Sequence, residues 1–223
     1  MEIVFATNNL NKLSEIRLFN KKKVRRVKDK KHFPRQKKND GFSTPWDQSA
    51  AWYDALVGGY GSEYHRLVVM PGAWKLLGLK KGDSVLDLAC GQGVFSRFMH
   101  ERGILVDGLD ASSELIRYAS NRSSRKINFF VEDAKKIGVL KGKTFDAVAC
   151  LLAVQNMSDI GAVFTNVSRW LRPKGKFVFV TTHPCFRIPR QTHWGYDEEK
   201  KIQFRRIDRY STVVDIPILT PPM

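Results

Sequence analysis

The feature that most constrains this chain is an apolar run that contains one acid and ends in two closely spaced glycines, residues 85–93 (VLDLACGQG). A short, continuous apolar run is typical of a buried strand in a parallel sheet. Glycines directly after such a strand allow a tight turn and a close approach of the backbone to a ligand. The 3.6-residue spacing of apolar side chains from residue 94 then predicts a helix that ends at Gly103. This junction predicts a cofactor pocket of the kind that a doubly wound sheet forms.

Several cofactor families share a Gly-x-Gly turn after a strand, and Asp87 distinguishes between them. Gly91 and Gly93 begin the dinucleotide fingerprint, but Ser96 makes the match to that fingerprint only partial. A carboxylate inside an apolar strand is costly to bury unless it is hydrogen-bonded or faces a positive ligand. The spacing Asp-x-x-x-Gly-x-Gly resembles motif I of the class I S-adenosylmethionine-dependent methyltransferases. The resemblance places Asp87 near the methionine end of that cofactor and the two glycines beneath it.

Four further apolar runs follow in the order of that family, at residues 104–109, 127–131, 145–152 and 177–180. Asp110 comes 23 residues after Asp87, and a carboxylate there is suited to accept both ribose hydroxyls. The resemblance assigns the adenine amino group to Asp133 and a place between cofactor and substrate to Gln155. It assigns further cofactor contacts to the neighbours of these residues, which are Ala89, Cys90, Ala111, Ala134 and Leu151.

The alternation of strands and helices predicts an α/β fold, a Rossmann-like, doubly wound and mostly parallel sheet with right-handed crossovers. Ser112 or Ser113 is expected to cap one helix, and the helix that begins near Ile160 must end before Pro173. In residues 183–223 the strand pair that completes the family's sheet has no obvious counterpart, and a hairpin-like insertion at 202–204 and 213–219 is expected instead. We therefore expect the final strands to be missing, the fifth strand to have an open edge, and the chain to be unstable or inactive as written.

The first residues carry a second resemblance. Residues 2–16 are similar to the opening of the inosine/xanthosine triphosphate pyrophosphatase family, in which Thr7, Asn9 and Lys12 would contact the triphosphate. The match ends at about residue 17, which is too short to form that family's pocket. The predicted domains are therefore a fusion remnant at 1–17 without pyrophosphatase activity, a basic linker at 18–41 and a methyltransferase domain at 42–223.

The charge of the chain is concentrated in one tract. Residues 17–38 contain twelve Lys or Arg and one acid, Asp29, and so contribute +11 of the formal net charge of +16. Such a tract is usually solvated and disordered, because it cannot bury enough apolar surface to offset the ordering entropy. It is either an inert linker or a contact for nucleic acid or an anionic surface, and that contact would be salt-sensitive and blind to sequence.

Residues 46–54 (WDQSAAWYD) resemble the N-terminal cap helix of small-molecule methyltransferases. The resemblance implies a lid at 42–70 with a glycine-rich hinge at 58–62. Tyr53 is a catalytic candidate, because its hydroxyl could lie near the methionine carboxylate or the acceptor. The alternative is that Trp46, Trp52 and Tyr53 simply pack on the sheet.

The segment after the fifth strand holds the second catalytic candidate, His183. It resembles a His-Pro-x-Phe segment of uncharacterised bacterial methyltransferases that are assigned to small molecules, and a histidine suits proton removal near neutral pH. A structural role for this histidine is the alternative. Arg187 and Arg190 could pair with an anionic acceptor or be surface charges. The insertion is expected to span residues 183–223.

Composition favours a cytoplasmic enzyme. The three cysteines, Cys90, Cys150 and Cys185, lack metal-ligand spacing and are expected to be reduced thiols, with no metal site. There is no apolar run of membrane-spanning length and no secretory signal pattern, so no membrane partner is expected. The favoured function is methyl transfer from S-adenosylmethionine to a small-molecule acceptor by in-line displacement. The alternatives are an RNA methyltransferase that uses the basic tract and a truncated, non-catalytic cofactor-binding remnant; the sequence leaves the oligomeric state open.

Overall fold

The chain forms two structural units, Met1–Val180 and Thr181–Met223. The computed structural model describes the backbone of residues 3–5 and, in full, residues 44–183 and 192–208. Within these ranges, no helix is both long and apolar enough to cross a membrane. The basic tract, Arg187, Arg190 and Cys185 lie outside the described residues.

A parallel sheet organises the first unit. Its strands are β1 (Ile3–Phe5), β2 (Ser84–Leu88), β3 (Leu105–Asp110), β4 (Asn128–Val131), β5 (Phe145–Leu151) and β6 (Leu171–Val180). All neighbouring strands pair in parallel, in the order β1-β6-β5-β2-β3-β4. The chain thus adds strands on one side of β2 and then returns to add strands on the other side. This confirms the predicted doubly wound α/β fold.

Helices connect these strands. They are α1 (Pro45–Val57), α2 (Met70–Leu77), α3 (Val94–His100), α4 (Ser113–Arg122) and α5 (Ile160–Trp170), with a π-helix at His65–Val69 and 3₁₀ turns at Gly138–Leu140 and Val154–Asn156. Of the two serines expected to cap α4, Ser112 does so, because its Oγ accepts a hydrogen bond from Leu115 N at 3.2 Å. The helix α5 ends at Trp170, before Pro173, as expected.

Alternate residues of the central strands supply two separate apolar cores, one on each face of the sheet. In β5, Ala147 and Ala149 pack into the core that includes residues of α2 and α3. The intervening Val148 and Cys150 pack into the core that includes residues of α5, among them the fully buried Trp170. Because both faces are covered, the strands are apolar throughout, which is why they appear in the sequence as continuous apolar runs.

The strand β6 is longer than the sequence indicates, and its outer edge is not open. Its pairing with β5 shifts between Phe145, which faces Leu171, and Ala147, which faces Lys176, so the intervening turn is accommodated as a bulge. On the outer edge, Ile3–Phe5 runs parallel to Phe177–Phe179. The expectation of an open edge is therefore wrong along these three residues. Pairing between segments more than 170 positions apart in sequence leaves no local signal.

The described part of the second unit is an antiparallel hairpin of β7 (Thr192–Asp197) and β8 (Ile202–Ile207). The predicted strand at 202–204 lies in β8. Among the described residues it pairs with β7, and the predicted partner at 213–219 lies outside the described residues.

Candidate active site

A cavity of about 430 Å³ opens at the carboxyl ends of β2, β3, β4 and β5. This is the edge at which the chain changes direction about β2, and ligands bind there in open α/β sheets. A second, smaller cavity of about 30 Å³ shares Tyr53, Ala89 and Leu151 with it. The larger cavity is lined by Thr44, Pro45, Trp46, Tyr53, Ala89, Gly91, Leu109, Asp110, Ala111, Leu115, Glu132, Asp133, Ala134, Lys135, Leu151, Leu152, Ala153, Asn156, Met157 and Ser158.

The two glycines of the turn after β2 have different structural roles. Both adopt the left-handed backbone conformation, with φ of 55° at Gly91 and 77° at Gly93. Gly91 lines the larger cavity. A Cβ at Gly93 would lie only 3.0 Å from Phe129 Cζ and 3.1 Å from Ala119 Cβ. Gly93 therefore allows α3 to begin tightly against its neighbours, and it lines neither cavity.

Two residues without a glycine's freedom adopt the same backbone conformation at the cavity wall. Ala89, directly after β2, has φ of 55°, and Leu152, directly after β5, has φ of 56°. A left-handed conformation costs an ordinary residue about 1 to 2 kcal/mol. Backbone strain of this kind concentrates at functional sites. Both residues line the larger cavity, so the strained backbone lies at the carboxyl ends of these two central strands, within the candidate site.

The carboxylate of Asp110, at the end of β3, holds the glycine turn in place. Its Oδ2 accepts a hydrogen bond from Gly91 N at 2.8 Å, and its Oδ1 accepts one from Ser112 N at 2.8 Å. Burial raises the pKa of Asp110, although these hydrogen bonds oppose the shift. A third hydrogen bond, from the backbone N–H of Ala111, also reaches this carboxylate, so about one of its roughly four acceptor positions remains for a ligand hydroxyl.

Asp87 is the deepest acid of the site. It is 2% exposed, and its Oδ2 accepts a hydrogen bond from Ser96 Oγ at 2.5 Å. Burial raises the pKa of Asp87 to about 7, and the nearby charge of Asp110 adds to this effect. The residue lines the smaller cavity. Two buried carboxylates that disfavour each other's charge form a site that a cation would stabilise.

A polar cluster forms the opposite wall of the larger cavity. Asp133 Oδ1 accepts a hydrogen bond from Lys135 N at 2.9 Å, and its Oδ2 lies 3.3 Å from Lys135 Nζ. The same Nζ donates to Ser158 Oγ at 3.1 Å. Lys135 therefore links the loop after β4 to the loop after β5. Asn166 of α5 supports this wall from beneath, because its Nδ2 donates to Ala134 O at 3.0 Å.

The helix α1 covers the cavity with two aromatic side chains. Trp46 and Tyr53 both line the cavity and contact each other edge to face, with ring centroids 5.6 Å apart. Burial, together with the charges of Asp110 and Asp87, raises the pKa of Tyr53 to about 12. The phenol therefore stays protonated at neutral pH and can act as a hydrogen-bond donor rather than as a base.

Two acids attach α1 to the rest of the domain at its two ends. Asp47 Oδ1 accepts hydrogen bonds from Ser112 Oγ at 2.7 Å and from Glu114 N at 3.3 Å, at the beginning of α4. Burial opposes the shift, but these hydrogen bonds and one from Thr44 N lower the pKa of Asp47. At the other end, Asp54 pairs with Arg122, the last residue of α4.

Comparisons with known proteins identify the fold that carries this site. Residues 86–179 match the family model described as a methyltransferase domain. The chain is 33% identical over 136 residues to YqeM of Bacillus subtilis (strain 168), which is named as a methyltransferase, and this covers 56% of this chain and 54% of that protein. It is 31% identical over 113 residues to the demethylmenaquinone methyltransferase of Tropheryma whipplei (strain Twist), covering 50% of this chain and 47% of that protein. An S-adenosylmethionine-dependent methyltransferase of solved structure from Mesorhizobium loti is 32% identical, with a TM-score of 0.53, and covers 63% of this chain and 64% of that one.

Residues 86–179 therefore match a methyltransferase domain, and the fold around them is similar to that of an S-adenosylmethionine-dependent methyltransferase of solved structure. The chain spans about half the length of the curated relatives that it matches. The family match does not reach residues 1–17, and the comparisons lend no support to the resemblance of that segment to the pyrophosphatase family.

Most of the residues expected at the methyltransferase site lie at one of the two cavities. Tyr53, Ala89, Gly91, Asp110, Ala111, Asp133, Ala134 and Leu151 line the larger cavity, and Asp87 and Cys90 line the smaller one. Gln155 lines neither cavity; its Nε2 donates to Leu152 O at 2.6 Å, and the next residue, Asn156, lines the larger cavity instead. His183 belongs to the second structural unit, and its catalytic role stays a prediction.

Several lining residues of the methyltransferase domain were not predicted. Thr44, Lys135, Met157 and Ser158 lie just beyond the segments that the resemblance identifies. Extending each post-strand segment by two or three residues would have found three of them. His65 lines the smaller cavity; it falls within the predicted lid at 42–70, but the sequence gives no signal that singles it out.

Proposed function

We propose that this protein binds S-adenosylmethionine and transfers its methyl group to a small organic molecule. The observation that carries the proposal is Asp110, a buried carboxylate that lines the larger cavity and keeps an acceptor position for a ligand hydroxyl. A ribose hydroxyl can donate to such a carboxylate. The fold and the family match support the same cofactor.

The charge of the site supports a cationic ligand. S-adenosylmethionine carries a sulfonium and an ammonium group, and the buried acids Asp87 and Asp110 would be stabilised by either positive charge. Asp133 offers a carboxylate to the adenine amino group on the far wall of the cavity. Tyr53 can donate its phenolic hydrogen from the lid, because it stays protonated at neutral pH.

The bound cofactor would supply a methyl group that is already activated by its attachment to a sulfonium. The protein's own contribution is then mainly positioning, which accelerates well-aligned reactions by effective molarities of up to about 10⁵ to 10⁸ M. Trp46 and Tyr53 of α1 line the cavity and would pack against a bound ligand. Asp110 fixes the glycine turn against which the ligand would lie.

The lining of the larger cavity favours a small acceptor over a nucleic acid. Among the described residues, the lining includes three acids, Asp110, Glu132 and Asp133, but only one basic side chain, Lys135. A nucleic-acid site needs several cations that face phosphates. A volume of about 430 Å³ lies within the usual range for small-molecule pockets. The relative named for demethylmenaquinone supports a small organic acceptor as well.

Calorimetric titration with S-adenosylmethionine and with S-adenosylhomocysteine tests the proposal. We expect micromolar binding by the unaltered chain and its loss in Asp110→Ala. Asp107→Asn is the matched control, because Asp107 lies on the same strand but pairs with Lys143 at 2.6 Å and lines neither cavity. A folded, unaltered chain that binds neither compound would contradict the proposal.

The RNA alternative is best tested without deleting the N-terminus. Removing residues 1–40 would remove both the basic tract and β1, so a loss of RNA binding could not be assigned to either one. Replacing the Lys and Arg residues of 17–38 with Gln leaves β1 in place. Cofactor binding and methyl transfer to a small acceptor should persist in this variant. A strong, salt-dependent RNA affinity that disappears in it, together with methylation of RNA by the unaltered chain, would favour the alternative.

A further inference from the structure

His65 occupies an unusual backbone segment at the junction between the lid and the sheet. It is the first residue of the π-helix His65–Val69, and this type of helix is rare and frequent at functional sites. The preceding Gly61 has φ of 90°, and a Cβ there would lie 3.0 Å from His65 Cβ and 3.1 Å from Val94 Cγ1. The tight approach at Gly61 fixes the position of His65 against the beginning of α3.

One ring nitrogen of His65 is held by a local hydrogen bond. Nδ1 lies 2.8 Å from Ser62 Oγ. Which ring nitrogen of a histidine carries the proton is set by the hydrogen bond that the other nitrogen makes. When Nδ1 carries the proton and donates it to Ser62 Oγ, Nε2 is left as an acceptor. Burial lowers the pKa of His65 and so favours the neutral ring.

His65 shares the smaller cavity with three other titratable residues that come from separate elements. These are Tyr53 of α1, Asp87 of β2 and Cys90 of the turn after β2. On its own segment the neighbouring titratable residues are Glu63, Tyr64 and Arg66. The rest of the lining is uncharged and consists of Val57, Ala89, Gln92, Val94, Phe95 and Leu151.

We propose that His65 is a catalytic residue, which accepts through Nε2 the proton that the methyl acceptor loses; this rests on the proposed methyltransferase function. The acceptor's heteroatom gives its proton to Nε2 and uses its electron pair to form the bond to the methyl carbon. As that bond forms, the carbon–sulfur bond breaks and its electron pair stays on sulfur, which becomes a neutral thioether. The imidazolium then returns the proton to solvent.

The other titratable groups of the smaller cavity are less suited to this task. Tyr53, with a pKa of about 12, is protonated at neutral pH, and burial raises the pKa of the Cys90 thiol. Asp87 is fully buried, and its Oδ2 is occupied by Ser96 Oγ. Among the described residues that line this cavity, His65 is therefore the side chain whose neutral form is a proton acceptor near pH 7.

The first test is nitrogen NMR of ¹⁵N-histidine-labelled full-length protein, with the signals of His65 assigned through His65→Gln. We expect the tautomer that carries its proton on Nδ1, and we expect Ser62→Ala to reduce its share. A ring that carries its proton on Nε2 in the unaltered protein would overturn the proposal, because Nε2 could then not accept a proton. The signals of His100, which lines neither cavity, are the internal control.

The second test compares S-adenosylmethionine with S-adenosylhomocysteine in the same NMR titration. A positive charge within about 4 to 6 Å moves the pKa of an ionisable group by about 1 to 3 units. The sulfonium of the first compound should therefore lower the pKa of His65 by about 1 unit relative to the neutral thioether of the second. Equal pKa values with both compounds bound would overturn the role of His65 and leave cofactor binding intact. Calorimetry on the same sample separates this result from the case in which neither compound binds, which would overturn the proposed function and the role of His65 with it.

Discussion

Asp54 of the lid helix α1 and Arg122 at the end of α4 form a two-pronged ion pair, with Oδ1 and Nη1 2.5 Å apart and Oδ2 and Nη2 2.6 Å apart. Arg122 Nη1 also donates to Gln92 Oε1 at 2.8 Å, and Gln92 Nε2 donates to Gly58 O at 2.9 Å. Gln92 stands between the two glycines of the turn after β2. One cluster thus joins α1, the backbone at Gly58 and the glycine turn after β2, so the position of α1 and the shape of the cavity depend on each other.

Breaking this ion pair should loosen the lid. Arg122→Met removes both hydrogen bonds to Asp54 and leaves a buried carboxylate without its partner. We expect a loss of about 1 to 2 kcal/mol in the free energy of unfolding, because Arg122 is partly exposed. We also expect a several-fold weaker affinity for S-adenosylmethionine. Urea denaturation and calorimetry measure the two effects.

The control for this prediction is Arg117→Met on the same helix. Arg117 pairs with Glu114 at 2.8 Å, but both side chains are more than 40% exposed, so the pair should contribute 1 kcal/mol or less. If both variants bind the cofactor equally well, the ion pair between Asp54 and Arg122 does not support the site.

The buried acid Asp87 should make stability fall as pH rises. Its pKa is about 7 in the folded protein and 3.8 in its ordinary state, so between these values the unfolded chain loses a proton that the folded chain keeps. Stability therefore decreases from about pH 4 to pH 7, and above pH 7 the penalty is constant. Asp87→Asn removes this contribution. Denaturation of both proteins at several pH values should show the advantage of the variant growing across this window, and two parallel curves would contradict the assignment.

Ala89→Gly should stabilise the protein. The left-handed φ of 55° costs alanine about 1 to 2 kcal/mol, while glycine adds about 0.5 to 1 kcal/mol of entropy to the unfolded chain. The expected net gain is up to about 1 kcal/mol in urea denaturation. Ala51→Gly makes the same change at an exposed position within α1, where the backbone is helical. This control should lower the free energy of unfolding by about 1 kcal/mol. A loss of stability in Ala89→Gly would contradict the strain argument.

The pairing of β1 with β6 can be tested by proline substitution. In an edge strand alternate N–H groups point towards the neighbouring strand, so of Val4 and Phe5 one donates into the ladder. Proline lacks this donor, and we expect Val4→Pro or Phe5→Pro to lower the melting temperature. Val4→Thr and Phe5→Tyr keep the N–H group and serve as controls for the loss of the side chain; the proline variants should lower the melting temperature further. Full stability in both proline variants would mean that β1 does not contribute to the sheet.

Much of the sheet and of the candidate site follows from local patterns. The strands β2 to β5 coincide with the predicted apolar runs to within two residues at either end, because both faces of the sheet are covered and each strand is apolar throughout. Asp87 and Asp110 follow from the same logic, since an acid within or directly after a buried strand stands out against its surroundings. At Gln155 the sequence pattern is wrong by one residue, because Asn156 lines the cavity instead. In a 3₁₀ turn successive side chains point about 120° apart, so a shift of one residue decides which side chain lines the cavity.

The sequence by itself determined the strand order along the chain, the glycine turn, the acids at the strand ends and hence the family, because these depend on short-range spacing. The tertiary structure alone decided that Ile3–Phe5 covers the outer edge of β6, that Asp54 meets Arg122, and that His65 shares a cavity with Asp87. Such contacts join residues that lie more than 20 positions apart. They depend on how helices and strands pack in three dimensions, and a linear pattern contains no record of that packing.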